Sequence, residues 1–227
     1  ELLLDKGVDP NIKDEWGYLA IDRFAARYYS YRDSSEKYKK VLGNMEVVLK
    51  DLRYELVFKE QRSVFRVKKS LELEGNKLYK LVLRADGNGG THYTDIENEK
   101  HKRLVDNYGE LFLVDYPKHE WTLYNETQII GKYTCYKAAV KLNNNERVIA
   151  WYAPKIPLSF GPAQFYGLPG LIIKLQTKNF TFIVDKITFS TDNNFVMEKP
   201  KKGISVTKKE YDKIGIKAKG DFKKGLK

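Results

Sequence analysis

The chain has 227 residues, of which 42% are hydrophobic and 13% are aromatic, and its formal net charge is +11. This composition excludes an intrinsically disordered chain, and the length is enough for one sizeable domain with its own core. The single cysteine, Cys135, excludes an intramolecular disulfide, and no apolar run reaches the roughly 20 residues of a membrane-spanning helix.

The first residues carry a pattern that differs from the rest of the chain. The run LLLDKGVDPN (residues 2–11) resembles the junction between two ankyrin repeats, in which the LLL helix ends at Gly7 and DPN forms the loop. The similarity ends at residues 18–21, and a lone fragment cannot bury its own face because repeat arrays need about three units. Residues 1–29 are therefore predicted to be an N-terminal helical, ankyrin-like fragment that is either adventitious or a local helix docked on the main domain.

Residues 30–198 are predicted to form an antiparallel β domain. Apolar and polar residues alternate in short segments, and turn signals recur about every ten residues with no long helical period between them. Strands are predicted over residues 52–58, 64–67, 78–83, 91–96, 110–116, 121–125, 135–142, 147–152, 171–176 and 180–189. The fold class is mainly β: a curved antiparallel sheet or half-open barrel with a few short helices.

The segment Ala150–Ile173 is rich in Pro, Gly and aromatic residues, which indicates a rigid apolar connection. Leu168-Pro169-Gly170-Leu171 has Pro at the second position and Gly at the third, as in a type II turn, where the third residue needs a positive φ. We predict a structural turn at Gly167, Pro169 and Gly170, followed by a buried strand.

Three motifs in this half of the chain resemble the GLPGLI family of Bacteroidota proteins. They are Trp121, the run IGKYTCYKA (residues 130–138), and the stretch 150–172, which ends in the hexapeptide GLPGLI itself. The family has no established activity. The resemblance implies an exported protein of the periplasm or cell envelope.

The aromatic and proline-rich stretch is the best candidate for a binding surface. The predicted ligand- or partner-binding residues are Trp151, Tyr152, Pro154, Phe160, Phe165, Leu168 and Pro169. Stiff loops lose little entropy on binding, so such a surface suits recognition of an apolar ligand or an outer-membrane partner. The alternative is that these side chains cover the open end of the sheet as core.

Catalytic and metal sites are weakly indicated. Cys135 lies in a predicted strand, the spacing of His92, His101 and His119 matches no metal motif, and residues 86–90 (DGNGG) indicate a plain turn. We assign no catalytic residue, no metal ligand and no cofactor, and favour a non-enzymatic envelope binding protein. The alternatives are a hydrolase using Cys135 or dispersed His and carboxylates, and a structural subunit of an envelope assembly.

The tail Lys199–Lys227 holds eleven lysines against three carboxylates, and so eight of the eleven net positive charges. It is predicted to aid solubility or to attract an anionic membrane surface. It lacks Arg and has few aromatics, which argues against nucleic acid. Thr207 and Glu210 form a capping-box pattern that predicts a short helix ending at Gly215.

Overall fold

The computed structural model describes residues 2–8, 48, 52–68, 89–107, 109–142, 145–178, 181–190 and 196–225, with residues 2–8 and 218–225 described as backbone alone. The strands are β1 (Leu2–Val8), β2 (Arg53–Lys59), β3 (Arg62–Val67), β4 (Thr91–Asp95), β5 (Lys100–Asn107), β6 (Glu110–Tyr116), β7 (Thr122–Ile130), β8 (Tyr133–Lys141), β9 (Arg147–Ala153), β10 (Leu171–Gln176), β11 (Thr181–Phe189) and β12 (Ile204–Thr207). The helix α1 spans Lys208–Gly225. The prediction of a mainly β chain is confirmed.

The twelve strands form one sheet in the order β12-β6-β5-β4-β3-β2-β1-β11-β10-β9-β8-β7. All neighbouring pairs are antiparallel except β12 and β6, which run parallel. Among the described residues β12 and β7 are the outer strands and do not pair with each other, so the sheet is open rather than closed.

The connector, residues 117–121, shows that this sheet is strongly curved. It joins β6 to β7, which are ten strand spacings apart in the sheet order. In a flat sheet that separation would be about 48 Å. The six residue steps from Tyr116 to Thr122 span at most about 21 Å. The sheet must therefore bend until its two edges approach each other across the connector.

The main core lies inside this bend. It contains side chains from β2, β3, β8, β9, β10 and β11 and from the loop between β9 and β10. The rings of Tyr54 and Phe65 stack with centroids 5.2 Å apart, and Phe182 meets Tyr54 edge to face at 5.4 Å. Phe160 of the loop stacks on Phe58 of β2 at 5.4 Å, so the loop is part of the core.

Residues 154–170, the proline loop, are held by backbone hydrogen bonds. The amide of Gly167 donates to the carbonyl of Ser159 (2.8 Å), and the amide of Ile172 donates to that of Phe160 (3.0 Å). At the start of the loop, the amide of Ile156 donates to Ala153 (3.0 Å), which closes a turn around Pro154. Buried backbone groups need such partners, so this bonding is what lets an irregular segment enter the core.

The predicted type II turn at 168–171 is wrong in its hydrogen bonding. The amide of Gly170 donates to the carbonyl of Leu168 (2.7 Å), which is a γ-turn centred on Pro169. The amide of Leu171 is not available to close the four-residue turn, because it donates to Ile156 (3.0 Å) as β10 begins. The positive φ predicted for Gly170 is present, at 155°.

The ends of the chain also differ from prediction. Residues 2–8 form β1 between β2 and β11, so their assignment to a helical fragment is wrong, because a short apolar run does not separate helix from strand. Strands β5 and β12 were not predicted. The rest of 1–29 and the predicted strand 78–83 lie outside the described residues.

The capping box is confirmed, since the Glu210 carboxylate accepts from the amide of Thr207 (2.8 Å) and Thr207 Oγ1 accepts from the amide of Glu210 (3.2 Å). The predicted end at Gly215 is wrong, because α1 continues through Gly225. A helix-interior glycine costs only about 1 kcal/mol, which the helix tolerates. Within the described part of the chain, no helix has the length and apolarity to span a membrane.

We expect Gly170→Ala to lower the melting temperature far more than Gly131→Ala. Both glycines have positive φ, but a Cβ at Gly170 would lie 2.5 Å from the carbonyl oxygen of Ala153, whereas one at Gly131 meets nothing within 4 Å. The control variant carries only the left-handed backbone cost of about 1–2 kcal/mol. Equal decreases in the melting temperatures of the two variants, measured by thermal unfolding, would contradict the close packing of the proline loop on β9.

Candidate functional site

A cleft of about 500 Å³ opens where the connector meets the end of the proline loop. Its lining combines apolar walls with charged groups. The lining residues are Glu99, Lys118, His119, Glu120, Trp121, Leu123, Gly167, Leu168 and Pro169. The site is therefore built from three segments that are separated in sequence: the β4–β5 turn, the connector with the start of β7 that follows it, and residues 167–169 at the end of the proline loop.

Aromatic contacts fix the connector against the proline loop. Trp121 Nε1 donates to the carbonyl oxygen of Tyr166 (2.9 Å), and the Trp121 ring lies 6.1 Å from that of Phe165. The His119 ring also stacks on the Phe165 ring, with centroids 5.1 Å apart. Phe165 thus packs against both aromatic residues of the connector.

The rim of the cleft is charged and open to solvent. Lys118 forms an ion pair with Glu99, which ties the connector to the β4–β5 turn. Both side chains are about half exposed, so this pair contributes little to stability. Leu123 is 53% exposed at the start of the edge strand β7, and it supplies an accessible apolar contact beside the charges.

A buried cluster of histidines lies behind the cleft. His101 Nε2 lies 3.1 Å from His92 Nδ1, and His101 Nδ1 lies 2.9 Å from Thr94 Oγ1, so His101 is bonded on both nitrogens. Its ring stacks on Tyr166 at 6.0 Å. Burial, with the nearby His119 and Arg103, lowers the pKa of His101 to about 3, so the ring is neutral near pH 7.

Two buried polar atoms at this site lack a hydrogen-bond partner among the described residues: His119 Nε2 and Tyr166 Oη. Burial lowers the pKa of His119 and raises that of Tyr166, so both groups are neutral near pH 7. An unsatisfied buried polar group costs about 1–3 kcal/mol, and such atoms usually meet water or a ligand. His119 lines the cleft, but its Nε2 has no exposed surface, so this nitrogen lies behind the cleft wall.

The structure separates the seven residues predicted to bind a ligand or partner. Side chains of Tyr152, Phe160, Phe165 and Leu168 are buried in the main core, Trp151 is half-buried, and Pro154 and Pro169 are exposed. Of these, Leu168 and Pro169 line the cleft. The last turn of the stretch therefore lines the cleft, and most of its aromatic side chains belong to the core.

Cys135 has no access to solvent. Its side chain is fully buried in the main core, and burial raises the pKa of the thiol to about 11, so the reactive thiolate is absent near pH 7. Nor do the described residues place three or more His, Cys, Asp or Glu side chains where they could hold a metal ion.

Sequence reasoning missed the role of the connector and the meeting of the histidines. Trp121 carries part of the family resemblance but was not predicted as a site residue. The histidines are brought together by the β4–β5 hairpin, in which His101 lies opposite Thr94 and Arg103 opposite His92. Predicting β5 with a turn at 96–99 would have found this pairing from alternation alone.

Comparisons with known proteins find one matching family model and a similar fold, and neither comes with an activity. A family model described as "Protein of unknown function (Porph_ging)" matches residues 139–174, from the end of β8 to β10, which include the GLPGLI hexapeptide. No curated protein matches the sequence.

Among solved structures, PNGF-II in space group C2 is similar with a TM-score of 0.50 and 14% identity, covering 71% of this chain and 29% of that chain. The structure of PNGF-II in space group P21 is similar with a TM-score of 0.49 and 13% identity, covering 72% of this chain and 29% of that chain. This chain spans less than a third of the PNGF-II chain, and the likeness concerns the fold alone.

The buried histidine should make stability depend on pH. The pKa of His101 is about 3 in the folded protein and near 6.5 in the unfolded chain. Between these two pH values the unfolded chain therefore binds a proton at this residue and the folded protein does not. Stability therefore falls as pH falls from about 6.5 towards 3, by about 1.4 kcal/mol per pH unit. When the pH is lowered from 7.5 to 5, the free energy of unfolding measured in urea should fall by about 2 kcal/mol less in His101→Gln than in the wild type.

Thr94→Val is the matched control, since it removes a hydrogen bond to His101 but keeps the titrating ring. We expect it to be less stable than the wild type at both pH values and to show the same pH dependence. A His101→Gln variant with an unchanged pH dependence would contradict a neutral, buried His101.

Proposed function

We propose that this protein is a non-catalytic binding module of the cell envelope, and that the cleft beside Trp121 and Pro169 receives the apolar part of its ligand. The observation that carries this proposal is a cleft of about 500 Å³ whose lining combines the apolar side chains of Trp121, Leu123 and Pro169 with charged groups. A ligand-sized depression with apolar walls and a few placed polar atoms is the usual form of a small-molecule site.

The walls of the cleft support recognition of a ligand that is partly apolar. Trp121, Leu123 and Pro169 line the cleft and offer apolar surface that a ligand can reach. The charges of Glu99, Lys118 and Glu120 stand at the rim, where they can contact a polar end that stays in water. The ligand class that fits is a molecule with an apolar body and a polar, hydrogen-bonding end.

The stiffness of the site also supports binding. The proline loop is fixed by backbone hydrogen bonds, and the connector is fixed to it through Trp121 and Phe165. A wall that is ordered before the ligand arrives loses little conformational entropy on binding. This favours recognition without a large rearrangement of the protein.

The cellular place of this activity is proposed from sequence. The resemblance to the GLPGLI family supports a periplasmic or cell-envelope protein. The lysines of the C-terminal segment support attraction to an anionic membrane surface, since Lys199, Lys201 and Lys202 are all exposed. An envelope binding protein would combine the cleft with this surface charge.

The hydrolase alternative has less support. Its proposed nucleophile, Cys135, is buried and protonated near pH 7. His92 and His101 bond to each other, and His101 stays neutral, so neither is placed as a base beside an exposed nucleophile.

One observation favours the structural-subunit alternative. The edge strand β7 is exposed along most of its length, and Ile129 on it is 76% exposed. Unpaired strand edges with exposed apolar side chains are common points of association between chains. A protein partner could therefore add to β7 while a small ligand occupies the cleft.

Leu123→Asp should release the ligand, because it places a charge at the apolar wall of the cleft. The matched control is Ile129→Asp, an apolar-to-acid change on the same strand outside the cleft lining. Both side chains are exposed, so neither change should unfold the core. In native mass spectrometry of protein from an envelope extract, wild type and Ile129→Asp should carry a small non-covalent mass that Leu123→Asp lacks.

A bound mass that survives Leu123→Asp would contradict the proposed site, as would a wild-type protein that carries none. A co-isolated protein released by Ile129→Asp alone would instead favour the structural-subunit function.

A further inference from the structure

A second cavity, of about 340 Å³, lies on the outer face of β3, β4 and β5 under the segment 196–200. We call it the basic cavity. Its lining residues are Arg62, Ser63, Tyr93, Thr94, Asp95, Lys100, Lys102, Met197, Glu198, Lys199 and Pro200. It shares no lining residue with the cleft, so a ligand bound in it would be separate from the ligand of the proposed function.

Strand register explains why the charges gather here. Arg62 lies opposite Asp95 on β4, and Asp95 lies opposite Lys100 on β5. One step along the same face, Tyr93 lies opposite Lys102. Cross-strand partners share a face of the sheet, so these side chains form two adjacent rows on its outer surface.

The segment 196–200 closes the cavity from above. Met197 packs against Val64, Tyr93 and Leu104, which gives the cavity an apolar interior. Glu198 forms an ion pair with Arg66, which anchors the segment on β3. The segment is thus fixed at two points, and the next residue, Lys199, lines the cavity with an exposed side chain.

The cavity has more cations than its own carboxylates can neutralise. Four cationic side chains line it, against the carboxylates of Asp95 and Glu198. Asp95 is already paired with Arg62 (3.2 Å), and Glu198 is paired with Arg66 outside the lining. Within the part of the chain that the structure describes, Lys100 and Lys199 form no ion pair.

We propose that the basic cavity binds an acidic amphiphile, with its phosphate or carboxylate group between Lys100 and Lys199 and its apolar part against Tyr93 and Met197. Lys102 is a third lysine in the lining, and it forms an ion pair with Asp115 (2.8 Å). A cavity lined by both cations and apolar side chains favours a molecule that carries both features, because a small inorganic anion makes no contact with the apolar part.

The test is isothermal titration calorimetry with octyl phosphate and with inorganic phosphate. Octyl phosphate should bind one to one, and roughly tenfold or more tightly than inorganic phosphate, because only it covers the apolar floor. The variant Lys100→Gln with Lys199→Gln should weaken octyl phosphate binding by about tenfold.

The matched control is Lys201→Gln with Lys202→Gln. It removes the same two charges from exposed positions near the cavity that do not line it. We expect its affinity for octyl phosphate to stay within about twofold of the wild type. Equal weakening by the two double variants, or no saturable binding of octyl phosphate by the wild type, would overturn the proposal.

Sedimentation with vesicles of phosphatidylcholine and phosphatidylglycerol identifies the source of the ligand. Vesicle binding lost on changing Lys100 and Lys199 but kept on changing Lys201 and Lys202 would support a lipid headgroup. Octyl phosphate binding without vesicle binding would support a soluble amphiphile. Vesicle binding lost equally in both variants, with no octyl phosphate bound, would assign the interaction to the lysine-rich tail and overturn the cavity site.

Discussion

The structure depends on how the proline loop satisfies its own backbone while lying in the core. Buried amides and carbonyls must be paired, and an irregular segment has no strand ladder to pair them. Here Gly167 donates to a carbonyl earlier in the loop, and Leu171 and Ile172 at the start of β10 donate back to loop carbonyls. Pro154, Pro157 and Pro169 have no amide to satisfy. The aromatic side chains of the loop can then fill the bend of the sheet, as Phe160 does against Phe58.

The connector applies a second constraint at the other side of the bend. Its five residues must join two strands that lie far apart in the sheet order, so the sheet edges are drawn together around the proline loop. Trp121 and His119 then contact Phe165, and the cleft forms where connector and loop meet. The cleft is therefore a consequence of chain geometry, and two of its lining residues also belong to the packing of the main core: Leu168 lies in it and Trp121 packs against it.

Local patterns predicted much of this fold. The strands on either side of the proline loop, the positive φ of Gly170 and the capping box at Thr207 all follow from alternation, turn chemistry and spacing. The hydrogen bonding of the 168–171 turn did not follow, because Leu171 pairs with Ile156, a partner outside the turn. The cleft, the basic cavity and the histidine cluster depend on strand order and on the sharp bend, which short-range patterns do not contain.

The central claim is that the proline loop is an ordered wall of the cleft before any ligand binds. Amide hydrogen exchange of Gly167, Leu171 and Ile172 in the ligand-free protein tests it most directly. Each of these amides donates a hydrogen bond to a carbonyl of the loop, so we expect protection similar to that of the central amides of β9. Exchange as fast as at the exposed residues of edge strand β7 would show that the loop orders only on binding, and would contradict this claim.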